Sequence, residues 1–583
     1  MTSLILIFLV SLCFKLEIFG FVNNDVHRLR QKASQTSITF MKQSSRCNNI
    51  FCNNRRKKCV QVSMTSSSEN NNNNNIGRNS NDASLVLLGL QNSPFGGIKS
   101  DFRRRIVHYT SDWKDGVSKK TLASLGFLYF ACLAPCIAFG GLTNVITEGS
   151  IGVVEFLVSC GVSGIVYSIF SGQPMSFLGP TGLTLAFISA LYRFTVEKGL
   201  PFLPLYSWTG MWTSLFLALA ATFNLSDLMR FCTRFTDDCF NALLAFNFVF
   251  QAARSILTNF TQPGADLIKA FASFNMALAT WQSIGSFEVL KSSNLFNKQT
   301  RKNISDFGPT LVIIFMTLLS THPYIASMGM QTLNLPRRFV LAKNRPWIPD
   351  LLSVPIEWRF LSMGPALLLT MLFYLDQNIS IRTVNNAPGL KKGSAFHWDL
   401  LILSGVVGTL SMLGLPWMCG ATVQSMNHVR SMSDITIDRD SGREIIGKVK
   451  ENRLSGLLVH SGILSSLLLL PILSYIPLPV VSGIFLFIGF KLMRGNYFLE
   501  RLQNLFVEPH TVPSDSVYRL VSRKKVISYI SIQATLLSLV WYLKENAKLS
   551  LFFPSCIAIM VLVRWKIIPL WFSGRELQYL DPV

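Results

Sequence analysis

Residues 173–182 read Gln173-Pro174-Met175-Ser176-Phe177-Leu178-Gly179-Pro180-Thr181-Gly182, and residues 414–423 read Gly414-Leu415-Pro416-Trp417-Met418-Cys419-Gly420-Ala421-Thr422-Val423. Each interrupts an apolar stretch with proline and glycine. Proline lacks an N–H and fixes φ, while glycine lets extended backbone pass close to its neighbours. Each stretch therefore predicts a short extended piece running into a half-helix. Gly/Pro-interrupted segments at matching places in two halves of a chain point to the binding site of a transporter built from inverted repeats. Two half-helix N-termini meeting at mid-membrane present unpaired N–H groups and partial positive charge. That environment suits a small oxyanion.

The surrounding chain supports a membrane setting. Of its 583 residues 49% are hydrophobic and only 15% charged, against about a quarter charged in soluble domains. A helix crossing the bilayer needs roughly 20 mostly apolar residues. Apolar segments follow near 121–146, 151–170, 180–194, 205–227, 238–260, 267–290, 308–329, 361–382, 397–414, 419–432, 455–475, 478–495, 527–543 and 549–570. These fourteen predict an all-α membrane protein, and the interrupted segments are the third of each half if the chain divides after the seventh. Lys/Arg clusters precede the first segment and follow the fourth, sixth, eighth, tenth and twelfth, which places both termini on the cytoplasmic-equivalent side. The 330–360 linker, with Arg337, Arg338, Lys343 and Arg345, breaks that pattern. The net charge of +23 is spread among loops and the N-terminal region, never in one patch, which argues against nucleic acid as a partner.

The N-terminal region reads as an address. Met1–Phe14 is nearly unbroken apolar sequence, a signal-peptide-like core over residues 1–20. His27–Ser68 carries nine Lys/Arg and no Asp or Glu, as a transit peptide does. Asn70–Asn75 is low complexity, and residues 21–100 are expected to lack a packed core. A signal core followed by a basic, Ser-rich stretch points to a plastid bounded by extra membranes, with the plasma membrane as the alternative. The membrane domain is expected over 101–573, followed by a short tail at 574–583.

Among titratable groups, Asp376 is the sharpest signal, because an ionisable residue within an apolar span marks function. A carboxylate cannot attract an anion, so it must hold a cation or a proton, or gate. Lys544 closes the thirteenth segment, a position that also suits a snorkelling lysine. Asn427 and His428 read as loop-side structure beyond the half-helix, and Glu148 and Glu155 as interfacial. The 11 cysteines form no CxxC pair or metal-spaced cluster, and Cys132 and Cys136, i and i+4 on one apolar helix, read as packing. No nucleophile–base constellation appears, so an enzyme is not expected.

These residues carry a resemblance. Phe139-Gly140-Gly141, Gly172-Gln173-Pro174, Gly179-Pro180-Thr181-Gly182, Thr233-Arg234-Phe235-Thr236, Asp306-Phe307-Gly308, Asp376-Gln377, His397-Trp398-Asp399-Leu400, Gly414-Leu415-Pro416-Trp417 and Gly483-Ile484-Phe485-Leu486 occur in the order found in bicarbonate transporters. The chain resembles that family, which comprises anion exchangers, sodium–bicarbonate cotransporters and borate exporters, over about residues 100–583. The resemblance implies fourteen spans in two inverted seven-span repeats, with a core domain (spans 1–4 and 8–11) moving against a gate domain (5–7 and 12–14). It also implies half-helices in spans 3 and 10 and a homodimer through the gate domain. By position it places substrate at Pro180, Thr181, Gly182, Gly420, Ala421, Thr422, Val423 and Gln424. It makes Asp376 the site carboxylate, Asp in sodium-coupled members and Glu in chloride exchangers. Gln424 stands where chloride exchangers have Arg, Lys544 where exchangers have a lysine near the pathway, and Gln251 where Glu is usual.

The expected function is sodium-coupled transport of bicarbonate or carbonate by alternating access. Asp376 and Thr422 are the candidate sodium ligands, the sodium ion is a co-substrate, and no other cofactor is implied. Chloride–bicarbonate exchange and borate export are the alternatives.

Overall fold

The computed structural model describes residues 93–581 apart from 291–292, 294, 334–338, 388, 438–443, 495, 508–516 and 547–548. The expected signal-like, transit-like and Asn-rich stretches lie outside the described residues.

Two short amphipathic helices come first, α1 (Gly96–Ile106) and α2 (Tyr109–Gly116). Then follow α3 (Lys119–Ile146), α4 (Val153–Phe170), a two-residue strand β1 (Leu178–Gly179), α5 (Gly182–Lys198), α6 (Phe202–Thr222), α7 (Arg234–Thr261), α8 (Leu267–Leu290) and α9 (Lys298–Ser320). After the linker come α10 (Met363–Asn385), α11 (Phe396–Met412), a second two-residue strand β2 (Cys419–Gly420) and α12 (Thr422–Met432). A hairpin of β3 (Ser433–Ile437) and β4 (Glu444–Val449) leads to α13 (Leu454–Ser465), α14 (Leu478–Met493), α15 (Arg523–Glu545), α16 (Phe553–Leu562) and α17 (Gly574–Leu580).

Every expected apolar segment holds helix, yet not every helix has the length and apolarity of a span. Among the described residues seven do: Lys119–Ile146, Val153–Phe170, Arg234–Thr261, Ile356–Asn385, Leu454–Leu473, Arg523–Glu545 and Ser550–Trp571. An eighth results if Leu478–Met493 and Tyr497–Asn504, bent by 75°, form one span. The rest are shorter or more polar, as helices surrounded by protein can be. The chain is mostly helical and multi-pass.

Packing sorts the helices. The contacts join α3, α4 and α13; α6 packs on α10 and α11, and α12 on α3 and α10. Separately, α14 packs on α7 and α8, and α8 on α9. Glycines allow the closest approaches: a Cβ on Gly164 would strike His460, and one on Gly210 would strike Ser411 and Trp417.

One residue of the linker exception, Arg345, has a structural account; Arg337 and Arg338 lie outside the described residues. Arg345 donates to the carbonyls of Leu413 (3.2 Å) and Gly414 (2.9 Å) and lies 3.8 Å from Glu155. Gly414, at φ +59°, ends α11 in the left-handed conformation glycine tolerates, and the guanidinium takes up carbonyls that a helix end leaves free. Arg345 therefore braces the start of the second interrupted segment. Glu155 belongs to the same brace. It is buried, accepting from Gly152 N–H (2.9 Å) and Ala342 N–H (2.6 Å), because a carboxylate in the first turn of α4 finds both backbone donors and a cation there. Glu148 is exposed.

A charged cluster ties the N-terminal helices to the loops beneath the bundle. Asp112, fully buried, meets Arg105 (3.2 Å), Arg453 (3.2 Å) and Lys392 (2.8 Å), and Lys392 also reaches Asp115 (2.8 Å). Burial pulls the Lys392 ammonium down, but its two carboxylate partners outweigh it and hold the group above the ordinary lysine range.

Candidate functional site

The two interrupted segments meet. Strands β1 and β2 pair antiparallel, Leu178 opposite Gly420 and Gly179 opposite Cys419. The crossing is extended by Ala421 N–H donating to Phe177 O (2.9 Å) and by Phe177 N–H donating to Ser425 Oγ (2.9 Å). The helices α5 and α12 begin immediately after it, so both N-termini border the same point. Thr181 caps α5, its hydroxyl accepting from Thr184 N–H.

Surrounding side chains hold this crossing rigidly. Trp417, fully buried, stacks on Tyr206 at 3.7 Å and donates from its indole to Ser411 (2.9 Å). Its N–H donates to the Tyr206 hydroxyl (3.1 Å). Asp399 accepts from the N–H groups of Gly172 and Gln173, which fixes the approach to the first segment. His428 is a structural residue of this frame: it stacks on Phe177 at 4.3 Å and bonds Met175 O (3.1 Å) and Ser455.

A cavity of about 270 Å³ opens onto the crossing. It brings together Pro180, Thr181 and Gly182 from α5 and its cap, Asp376 from α10, and Ala421, Thr422, Val423 and Gln424 from α12. Two sequence candidates stand apart. Gly420 lies beneath the lining, where a Cβ would press on Gln377 and Ser380. Lys544 is not among the residues lining this cavity; it lies 4.3 Å above the Trp541 ring, 5.8 Å from that of Phe250 and 3.2 Å from Glu545.

Asp376 is fully buried. Its Oδ2 accepts from the Cys419 thiol at 3.0 Å, while Oδ1 has no hydrogen-bond partner among the described residues. The Cys419 sulfur in turn lies 3.6 Å from both Thr181 and Thr184 hydroxyls. Nearby, the Ser380 and Thr422 hydroxyls lie 2.6 Å apart, and Ser380 donates to Gly420 O (3.0 Å). A carboxylate oxygen without a donor, beside hydroxyls that can accept, is a donor set for a small hard cation. The two helix starts supply N–H groups for an anion.

Several lining residues were not legible in the sequence. Pro135 within α3 and Pro309 within α9 both line the cavity, together with Ala131 and Ser305 four residues before them. Proline cannot bond the carbonyl four residues back, so prolines inside apolar segments were a usable signal. Asn427 lines the cavity too, on α12 and not in a loop, because it lies on the same helix face as Gln424 and Arg430. At the mouth, Glu288, Lys491 and Arg430 each sit two residues before the end of their helices, α8, α14 and α12. Lys491 and Glu288 pair at 2.9 Å.

A multi-pass helical protein folded around one polar crossing of two broken helices has the build of a solute transporter. The model of the HCO3- transporter integral membrane domain matches residues 93–269 and 266–583. The chain belongs to the HCO3- transporter family, whose characterised relatives here are transporters and not enzymes. It is 31% identical over 561 residues to sodium bicarbonate cotransporter 3 of Rattus norvegicus (84% of this chain, 46% of the relative). To the human sodium-driven chloride bicarbonate exchanger it is 30% identical (84% and 50%), and to human band 3 anion transport protein 32% over 512 residues (84% and 56%). The chain spans about half the length of the curated relatives it matches. The fold is shared with the transmembrane domain of a cyanobacterium bicarbonate transporter, BicA (16% identity, TM-score 0.50, 75% of this chain and 97% of that one). It is also shared with murine Solute Carrier 26 family member A9 (12%, TM-score 0.52, 79% and 71%).

Proposed function

We propose that this protein carries bicarbonate or carbonate across a membrane together with sodium, by alternating access at the β1–β2 crossing. The observation that carries the reading is Asp376: a buried carboxylate with one oxygen unpaired among the described residues, beside two helix N-termini and with glutamine, not a cation, at position 424. Sodium at Asp376, with the Thr422 hydroxyl as a second ligand, neutralises the carboxylate and attracts the anion. Two unit charges ~4 Å apart interact by about 4 kcal/mol at an effective dielectric of ~20, enough to make anion affinity depend on the cation. The relatives named for sodium and bicarbonate support the same pairing.

In this reading the fourteen helical segments are two inverted repeats. The α3–α6 and α10–α13 helices form the core that moves, against a gate of α7–α9 and α14–α16 through which two copies associate. The contacts that join α14 to α7 and α8 support that division. The plastid envelope is the proposed location: residues 1–100 fused to a fluorescent protein should reach the plastid, and plasma-membrane fluorescence from the tagged full-length protein overturns it.

The decisive measurement is uptake of labelled inorganic carbon into proteoliposomes. Sodium-dependent, chloride-independent uptake is expected. Uptake that needs internal chloride and ignores sodium overturns the coupling in favour of exchange.

A further inference from the structure

Asn247, in the middle of α7, is fully buried, and neither its Oδ1 nor its Nδ2 has a hydrogen-bond partner among the described residues. Its amide nitrogen lies 2.2 Å from where a Cβ on Gly182 would stand, so a side chain at 182 would force the amide to move. Gly182 is the first residue of α5 and lines the cavity. The side chain is therefore aimed at the N-terminus of one broken helix, from the helix group that packs around α14. On α7, Leu244 and Phe248 on either side of Asn247 line the same cavity; Asn247 itself is not among the lining residues and packs against Gly182, which is. One turn further along, Gln251 also has an unpartnered Oε1.

An isolated buried amide is costly, because each unpaired donor or acceptor loses its water without replacement. Such groups persist where a ligand or a moving part satisfies them. We propose that Asn247 is a ligand for the transported anion, contributed by α7 and set against the N–H groups of α5. The proposal rests on the bicarbonate reading above. Bicarbonate carries an O–H beside its charged oxygens. A primary amide offers N–H donors and a carbonyl acceptor side by side, so it bonds both at once. Chloride has nothing to give the acceptor. Asn247 thus favours bicarbonate over chloride at a site whose other anion contacts are backbone N–H groups.

The test replaces the amide with an apolar group of similar volume, Asn247→Leu, and measures both thermal stability in detergent and labelled bicarbonate uptake in proteoliposomes. The variant is expected to melt no lower than the parent, since an unpaired polar group is gone. Its half-saturating bicarbonate concentration should rise about tenfold or more, the loss of a hydrogen bond to a charged ligand. Sodium half-saturation and maximal rate should stay within about twofold, and competition by chloride should strengthen relative to bicarbonate. Asn247→Ala, which leaves space and cannot clash with Gly182, should show the same affinity loss and covers the case of a misfolded leucine variant. An unchanged bicarbonate half-saturation in a folded variant makes the amide a mere packing cost and overturns the proposal while the bicarbonate reading stands. If the parent protein itself takes up no labelled bicarbonate, both fall.

Discussion

The thiol of Cys419 donates to Asp376 Oδ2 at 3.0 Å and leaves Oδ1 unpaired among the described residues. Cys419 belongs to β2 and Asp376 to the middle of α10, so the bond ties one broken segment to the buried carboxylate. Thr181 and Thr184, each 3.6 Å from the same sulfur, bring the other broken segment into contact. One small cluster thereby fixes which oxygen of Asp376 is available.

Asp376→Asn should abolish sodium-dependent uptake while the protein remains folded. The amide keeps the shape and can still accept from Cys419, but it carries no charge to hold a cation. Sodium-activated flux at the parental level in this variant would sink the assignment.

Cys419→Val should raise the sodium half-saturation about fivefold, equivalent to the ~1 kcal/mol of one modest hydrogen bond, with little change in maximal rate. Cys419→Ser restores a donor at the same place and should recover most of the affinity. A valine variant with parental sodium affinity shows that the thiol does not orient the carboxylate.

Gln424→Arg should weaken sodium dependence and admit chloride. Gln424 lies in the first turn of α12, half-buried and lining the cavity. A fixed guanidinium there does part of the work assigned to sodium. Flux measured with sodium and chloride varied in turn checks this; no gain in chloride flux and no change in cation dependence contradict the electrostatic argument.

Arg345→Ala should destabilise the protein by about 2–4 kcal/mol, the cost of leaving a buried carboxylate without its neighbouring cation and two carbonyls without their donor. The thermal midpoint in detergent should fall for Arg345→Ala and fall less for Arg345→Lys, which keeps the charge but loses the fork that spans Leu413 and Gly414. Equal stability of all three proteins refutes the bracing role.

The helices and the broken segments were legible because their signals are local. Apolar length marks a span, and Pro or Gly within it marks an interruption, whatever the rest of the chain does. Asp376 was legible for the same reason, as a lone carboxylate in an apolar run. The burial of Glu155 was not legible, because beside the start of α4 its sequence neighbours show only a span's edge. Its burial depends on Ala342 and Arg345, nearly 190 residues further along the chain. Asn427 was misread because where α12 ends is set by packing on α3 and α10, not by its own polar sequence.

The sequence alone determined a multi-pass helical chain with two matched interruptions and a carboxylate, Asp376, inside an apolar run, since hydropathy and backbone restriction act over a few residues. Only the tertiary structure decided that the interruptions pair as β1 and β2, that one Asp376 oxygen is taken while the other has no partner among the described residues, and that Asn247 is aimed at Gly182. Those facts depend on contacts between residues 43 to 242 positions apart, and contact at such separation is set by how helices pack, which no local pattern records.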